Sequence, residues 1–254
     1  MNLTDVLTGE IAAYAIVFCR IGAAMMFMPG FGDSTVNMRA RLMLALAISA
    51  ALSGVVGDPA PLLGGFWQSV ATIGAEITIG AFIGVSARLV LTALATAGSV
   101  IAAQISLANA LSFDAVSAQQ GALPANFLTM LGVVLIFVTD LHHIMLAGAV
   151  ASYETFPPGA PLPVEGFAEA IATLVSEGFA IGLSLAAPFI LVGIVITVGM
   201  GLLARLMPQV QVFFIVMPLQ IAVGLGLLAL TLGAGMHWFL NRFVELQSLA
   251  VYGG

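Results

Sequence analysis

From Phe66 to about Leu111 the chain runs without a proline or an obvious turn, and Glu76 and Arg88 are its only charges there. At about 1.5 Å of rise per residue, a helix over that run is far longer than the ~30 Å hydrocarbon layer of a bilayer. Two spans joined by a tight turn near Gly98 satisfy this text; so does one long helix that leaves the membrane plane. The same apolar character extends to both ends of the chain. Of the 254 residues, 61% are hydrophobic and 7% charged, against about 25% charged in a soluble domain. The chain is an integral membrane protein, and its length fits one membrane domain.

The charges that remain exclude several classes of function. All six cations are arginine (Arg20, Arg39, Arg41, Arg88, Arg205, Arg242), and the formal net charge is -6. Nucleic acid requires a basic face to replace its counterions, and a lipid-surface binder of the polybasic kind requires clustered cations; neither is present. Cys19 is the single cysteine and lies in an apolar run, so it is expected to be a buried thiol. The amino terminus carries Asp5 and Glu10 and no early cation, the wrong flank for a cleaved signal peptide, so the first apolar run is expected to be retained.

In chain order, the first span is expected over residues 11–30, stopped by Pro29, Gly30 and Gly32. Arg20 sits near its centre, where a charge costs a few kcal/mol or more, so it should face protein or a wet cavity and have a partner. A second span over residues 42–56 is rich in Ala and Ser, residues that let helix backbones approach closely. The long 66–111 segment follows, with a GxxxG pair at Gly80 and Gly84. A further span is expected over residues 125–152, then an acidic loop with Pro157, Pro158, Pro161 and Pro163. The fifth span covers residues 170–203 with Pro188 inside it, where a kink is expected. Arg205 and Pro208 mark a turn before the last span, which contains Pro218 and the polar Gln220. Trp238 and Phe239 are placed as interface anchors. With six spans and the amino terminus outside, Arg39, Arg41 and Arg205 fall on the cytoplasmic side and the acidic proline-rich loop falls outside, as the positive-inside rule asks.

Three sets of residues could carry chemistry. Asp140, His142 and His143 have metal-ligating side chains, but on one continuous helix residues two and three apart do not share a face. A polar cluster at the water interface is expected there, and no metal. Arg20, Glu76 and Arg88 could line a proton or ion path, because intramembrane charges are functional suspects by default. Glu76 and Arg88 stand twelve residues apart, about 18 Å along a helix, so they do not pair within one helix. The simpler expectation is that they pair with Arg20, another helix or another subunit, since paired polar groups also hold membrane helices together. No nucleophile–base pair, phosphate-binding loop or metalloprotease motif appears, and neither an enzyme nor a cofactor is expected. Kinked helices at Pro188 and Pro218 would also suit a small-solute secondary transporter, although the related halves usual in transporters are not visible.

The third set is the stretch QISLANALSFDAVSAQQGALPA, residues 104–125, where Gln, Ser, Asn, Asp and Gly interrupt the apolar text without one basic residue. A loop that merely joined cytoplasmic helix ends would normally carry Lys or Arg. This one reads as a loop with a task inside the protein.

Taken in order, CRIGAAMMFMPGFG with RARLMLALAIS, QISLANALSFD, FVTDLHHIMLAGAVASYETFPPG and LLARLMPQVQVFFIVMPLQIAVGL resemble the flagellar biosynthetic protein FliR family over nearly the whole length. The resemblance implies an all-α integral membrane fold with about six apolar helical segments, arranged as helical hairpins within a hetero-oligomeric type III export gate. It implies FliP and FliQ homologues as partners, FlhA and FlhB homologues as neighbours, and unfolded exported flagellar proteins as cargo. The place is the bacterial inner membrane at the flagellar basal body. It further implies a FliP-like part over residues 1–160 and a FliQ-like hairpin over 161–254. In the family the central loop plugs the closed pore; here that loop is 106–121, including Ser106, Asn109, Ser112, Phe113, Asp114, Gln119, Gln120 and Gly121. The carboxy-terminal family motif contains Arg205, Pro208, Pro218 and Gln220, and Gln220 stands where members commonly carry Lys. The alternative under the same resemblance is the homologous subunit of a virulence type III secretion system.

Overall fold

A computed structural model describes residues 3–34, 36–56, 65–107, 123–207 and 212–252. Among these, the long elements are α-helices: α1 (Leu3–Phe27), α2 (Met38–Val56), α3 (Phe66–Gln104), α4 (Leu123–Val138), α5 (Leu141–Thr155), α6 (Val164–Leu206) and α7 (Val212–Tyr252). The six apolar segments read from the sequence fall on α1, α2, α3, the α4–α5 pair, α6 and α7. Among the described residues, four helices are long and apolar enough to cross a membrane, or five spans if the α4–α5 pair is counted as one.

Local chemistry sets the ends of these helices. After Pro29, Gly30 adopts a positive φ of 81°, which a side chain would resist. Asp33 then organises the α1–α2 loop: its carboxylate accepts the Gly30 N–H at 3.0 Å, and its main-chain oxygen accepts Arg41 Nη2 at 2.8 Å. Asn37 accepts the Arg39 N–H through its side-chain oxygen at 2.9 Å, capping the start of α2. Helix α3 is unbroken from Phe66 to Gln104, so Gly98 is no turn. It stops where Ser106 enters the left-handed region at φ 59°. Neither Pro188 nor Pro218 ends its helix; α6 and α7 run on through them.

One expected span differs. The segment 125–152 is not one rod but two helices bent by 75°, with the break at Thr139–Asp140. No proline or glycine makes that break. Asp140 takes φ 60°, a conformation that short polar side chains tolerate better than most.

The helices contribute to two compact units. The first holds residues 1–90, 136–175 and 243–254, and the second 91–135 and 176–242. In the first unit α1 packs against α2 and α5. Its interior is filled by Ile16, Ile21 and Met25 of α1, Ile83 of α3 and Met145 of α5. Gly80 and Gly84 put α3 in direct contact with α1: a methyl at either position would overlap the carbonyl oxygen of Arg20 or Ala24. Phe82 stacks on Phe167 with ring centroids 4.2 Å apart, bringing the start of α6 onto α3.

In the second unit the same device recurs. Gly98 lies against the backbone of Pro124 and Ala125, Gly182 against the Ala93 carbonyl, and Gly132 against Leu91 and Leu94. Gly98 and Gly182 let backbone approach backbone, whereas Gly132 leaves room for the Leu91 and Leu94 side chains.

Gly80→Val therefore drives a side chain into the α1 backbone, whereas Gly74→Val, on the same helix, meets nothing within 4 Å. The first is expected to cost about 1–3 kcal/mol or more, a fall of several degrees in the unfolding midpoint, and the second almost nothing. Thermal unfolding of the two detergent-purified variants checks this, and equal midpoints would contradict the close-packed α1–α3 seam.

Candidate functional site

Arg20 is fully buried in the C-terminal half of α1. A guanidinium there needs a counter-charge and acceptors for its remaining N–H groups, because no water is at hand to serve them. Glu76 of α3 supplies the first: Nε lies 2.7 Å from Oε2 and Nη2 lies 2.9 Å from Oε1, a two-pronged pair buried on both sides. Ser152 of α5 accepts from Nη1 at 3.1 Å, and the Phe156 carbonyl accepts from Nη2 at 2.8 Å. The guanidinium carbon also lies 3.8 Å from the centroid of the Tyr153 ring, so the cation is held by a π face as well as by acceptors. Three helices and the residue that ends α5 thus meet on one side chain.

Ser152 is itself oriented, since its hydroxyl also reaches the Ala149 carbonyl at 2.7 Å. The Phe156 carbonyl is free to accept because it lies past the last turn of α5, where Pro157 and Pro158 follow. Sequence reasoning had named Arg20 and Glu76 but not Ser152, Tyr153 or Phe156. The Ser–Tyr pair interrupting an apolar helix was the available signal; a main-chain carbonyl leaves none.

Arg88, grouped with these two by its place in the apolar run, belongs elsewhere. Its Nη2 lies 3.3 Å from Asp33 Oδ1, and both side chains are partly exposed. With Asp33 also holding Gly30 and Arg41, Arg88 secures the α1–α2 loop and makes no continuous charged path with Glu76 and Arg20 among the described residues.

In the second unit the roots of the 104–125 stretch are visible. Gln220, buried on α7, donates from its amide to the Gln104 main-chain carbonyl at the end of α3. That carbonyl is one of the orphan acceptors of a helix terminus, and a neutral amide suffices to meet it. The Gln104 side chain packs against Gly193 of α6, and Ile105 packs against Gly224 of α7. At the other root Pro124 and Ala125 lie against Gly98. Of the proposed plug residues, Ser106 is described and ends the helix; Asn109, Ser112, Phe113, Asp114, Gln119, Gln120 and Gly121 lie outside the described residues, as does Pro208. Arg205 and Pro218 sit on α6 and α7 without joining either cluster.

Asp140, His142 and His143 do come together. Because Asp140 stands at the break and not on a continuous helix, the facing argument against them fails. One ligand atom from each lies within 4.8 Å of the others.

Removing one member of the Arg20 cluster strands a buried charge, which costs about 3–5 kcal/mol for a pair of this kind. Glu76→Ala or Arg20→Met alone should greatly reduce the yield of folded protein and its unfolding midpoint. The double variant Arg20→Met with Glu76→Met should recover much of the loss, and Ser152→Ala should cost only about 1–2 kcal/mol. Thermal unfolding in a double-mutant cycle checks this; additive single effects would contradict direct coupling.

The family model of bacterial export proteins, family 1, matches residues 11–246. The chain is 38% identical to the flagellar biosynthetic protein FliR of Caulobacter vibrioides, over 94% of this chain and 96% of that protein. It is 28% identical to the FliR of Pectobacterium carotovorum over 79% of this chain and 77% of that protein. Against the Escherichia coli FliR the identity is 29%, over 78% and 76%. A match that runs through the buried Arg20 cluster, the roots of the polar stretch and the carboxy-terminal helices leaves a plain conclusion: the chain belongs to the bacterial export proteins, family 1.

Proposed function

We propose that this chain is a non-enzymatic core subunit of a flagellar type III protein export gate in the bacterial inner membrane, at the basal body. It forms part of the channel, and residues 106–121 plug the channel when it is closed. The observation that carries the plug reading is the fixing of both roots of that stretch. Gln104 and Ile105 are held by Gly193, Gly224 and Gln220, and Ala125 is held by Gly98. A polar loop mounted on such roots suits a wet pore, since non-helical backbone at membrane depth must lie within protein or beside water.

FliP and FliQ homologues in a hetero-oligomer are the partners this reading calls for, with FlhA and FlhB homologues as neighbours and unfolded exported flagellar proteins as cargo. The exposed apolar surface supports such an assembly. Only 28% of the apolar window of α6 and 17% of that of α7 is buried, against 61% for α3. Those two helices have most of their apolar surface left to give to lipid or to neighbouring subunits. They form the FliQ-like hairpin over 161–254, and residues 1–160 form the FliP-like part.

Two other readings have less support. A virulence secretion subunit shares the fold, but the relatives compared carry flagellar names. A small-solute transporter would draw on Arg20, Glu76 and Arg88, yet Arg20 and Glu76 neutralise each other and Arg88 is engaged with Asp33.

Deleting residues 106–121 should leave assembly intact and make the membrane permeable to ions and small molecules. Co-purification of FliP and FliQ homologues, with stoichiometry measured, checks assembly; dye and ion leakage checks the plug. Unchanged permeability in an assembled complex overturns the plug, and a lone stable monomer that binds a small solute overturns the gate.

A further inference from the structure

We propose that Asp140, His142 and His143, at the bend between α4 and α5, form a binding site for a divalent first-row transition ion such as zinc. This inference does not depend on the gate reading.

Three observations carry it. The donor atoms of the three side chains all lie within 4.8 Å of one another, and Asp140 Oδ1 and His143 Nδ1 are 3.7 Å apart. Tetrahedral ligation at about 2.0–2.1 Å needs donors roughly 3.3 Å apart, so small side-chain adjustments close the set. Two imidazoles and one carboxylate are a donor set for zinc and its neighbours and not for magnesium or calcium, which take oxygen.

The second observation is that the donors are unspent. Asp140 occupies the position before α5 where an aspartate ordinarily caps the helix, yet its side chain makes no capping hydrogen bond. A separation of 3.7 Å from His143 is too long for a hydrogen bond. His142 Nδ1 is buried and has no hydrogen-bond partner among the described residues.

The third is preorganisation. The His142 ring lies on Phe137, with centroids 4.9 Å apart and planes 17° apart, and Phe31 packs nearby. The left-handed backbone of Asp140 sets where its carboxylate begins. His143 closes the group, its ring centroid 4.0 Å from that of His142. Three protein ligands leave the remaining coordination positions to water or to a donor from another molecule. A bound ion would fasten the 75° bend between α4 and α5.

The full-length chain, purified in detergent through a histidine-free affinity tag and stripped with chelator, is titrated with zinc chloride by calorimetry. One ion per chain with micromolar or tighter affinity is expected, and cobalt in its place should show visible absorption of low-coordinate nitrogen and oxygen ligation. His143→Gln and Asp140→Asn change exposed side chains, and asparagine tolerates the Asp140 backbone. Each should weaken binding at least about tenfold while leaving the unfolding midpoint of the metal-free protein unchanged. Absence of saturable binding overturns the proposal. So does equal binding by parent and variants, which would mean an adventitious ion only.

Discussion

A guanidinium removed from water retains every demand it made there, and the first compact unit is arranged so that those demands are met. Arg20 lies on α1, its counter-ion on α3, and its other acceptors on α5 and at the residue following it. Leu, Ile or Met in these places would pack the same helices in several registers of similar energy. The paired charges do not, because any register that separates them strands an ion in an apolar interior. Such a pair adds little net stability over an apolar filling, but parting Arg20 from Glu76 leaves each without the partner it has here.

Around that fixed point the contacts are made by small residues. Gly80 and Gly84 allow α3 to touch the α1 backbone at Arg20 and at Ala24, one turn farther on, so the pair forms at short range. Farther along, Gly98, Gly193 and Gly224 hold the two roots of the polar stretch in the second unit. Dispersion at these close contacts, with backbone at Gly80, Gly84 and Gly98 and with side chains at Gly193 and Gly224, stands in for a hydrophobic effect that lipid tails do not supply. Two polar side chains answer definite needs: Gln220 meets a helix-end carbonyl, and Asp33 turns a loop.

Much of this was legible in the residues. Composition alone placed the chain in a membrane, and the apolar segments located the helices. The need of Arg20 for a partner followed from the cost of a bare charge, and Glu76 was among the few groups able to meet it. The position of Gly98 was harder to read, because a glycine in a long apolar run serves equally as a turn or as a contact; only the arrival of Ala125 distinguishes them. The break at Asp140 left no proline or glycine to mark it, and the argument from helical spacing for the neighbouring histidines failed with it. Ser152 and the Phe156 carbonyl become visible as partners only when the chain has folded back, since their roles depend on distance and not on residue type. The plug proposal draws on the resemblance and on the contacts at Gln104, Ile105 and Ala125, because a polar composition does not say what a stretch blocks.

The separation in sequence of the Arg20 partners has a consequence for biogenesis. Glu76 follows Arg20 by 56 residues and Ser152 by 132. At ~5–20 residues per second, several seconds of translation pass after α1 emerges before its counter-ion exists, and longer before the serine does. Through that interval the arginine has nothing but water, headgroups or the insertion machinery to satisfy it, and its cost at the bilayer centre, a few kcal/mol, opposes settling into lipid. Until α3 has been made, the guanidinium of α1 has no counter-ion within the chain, and until α5 has been made it lacks the serine as well.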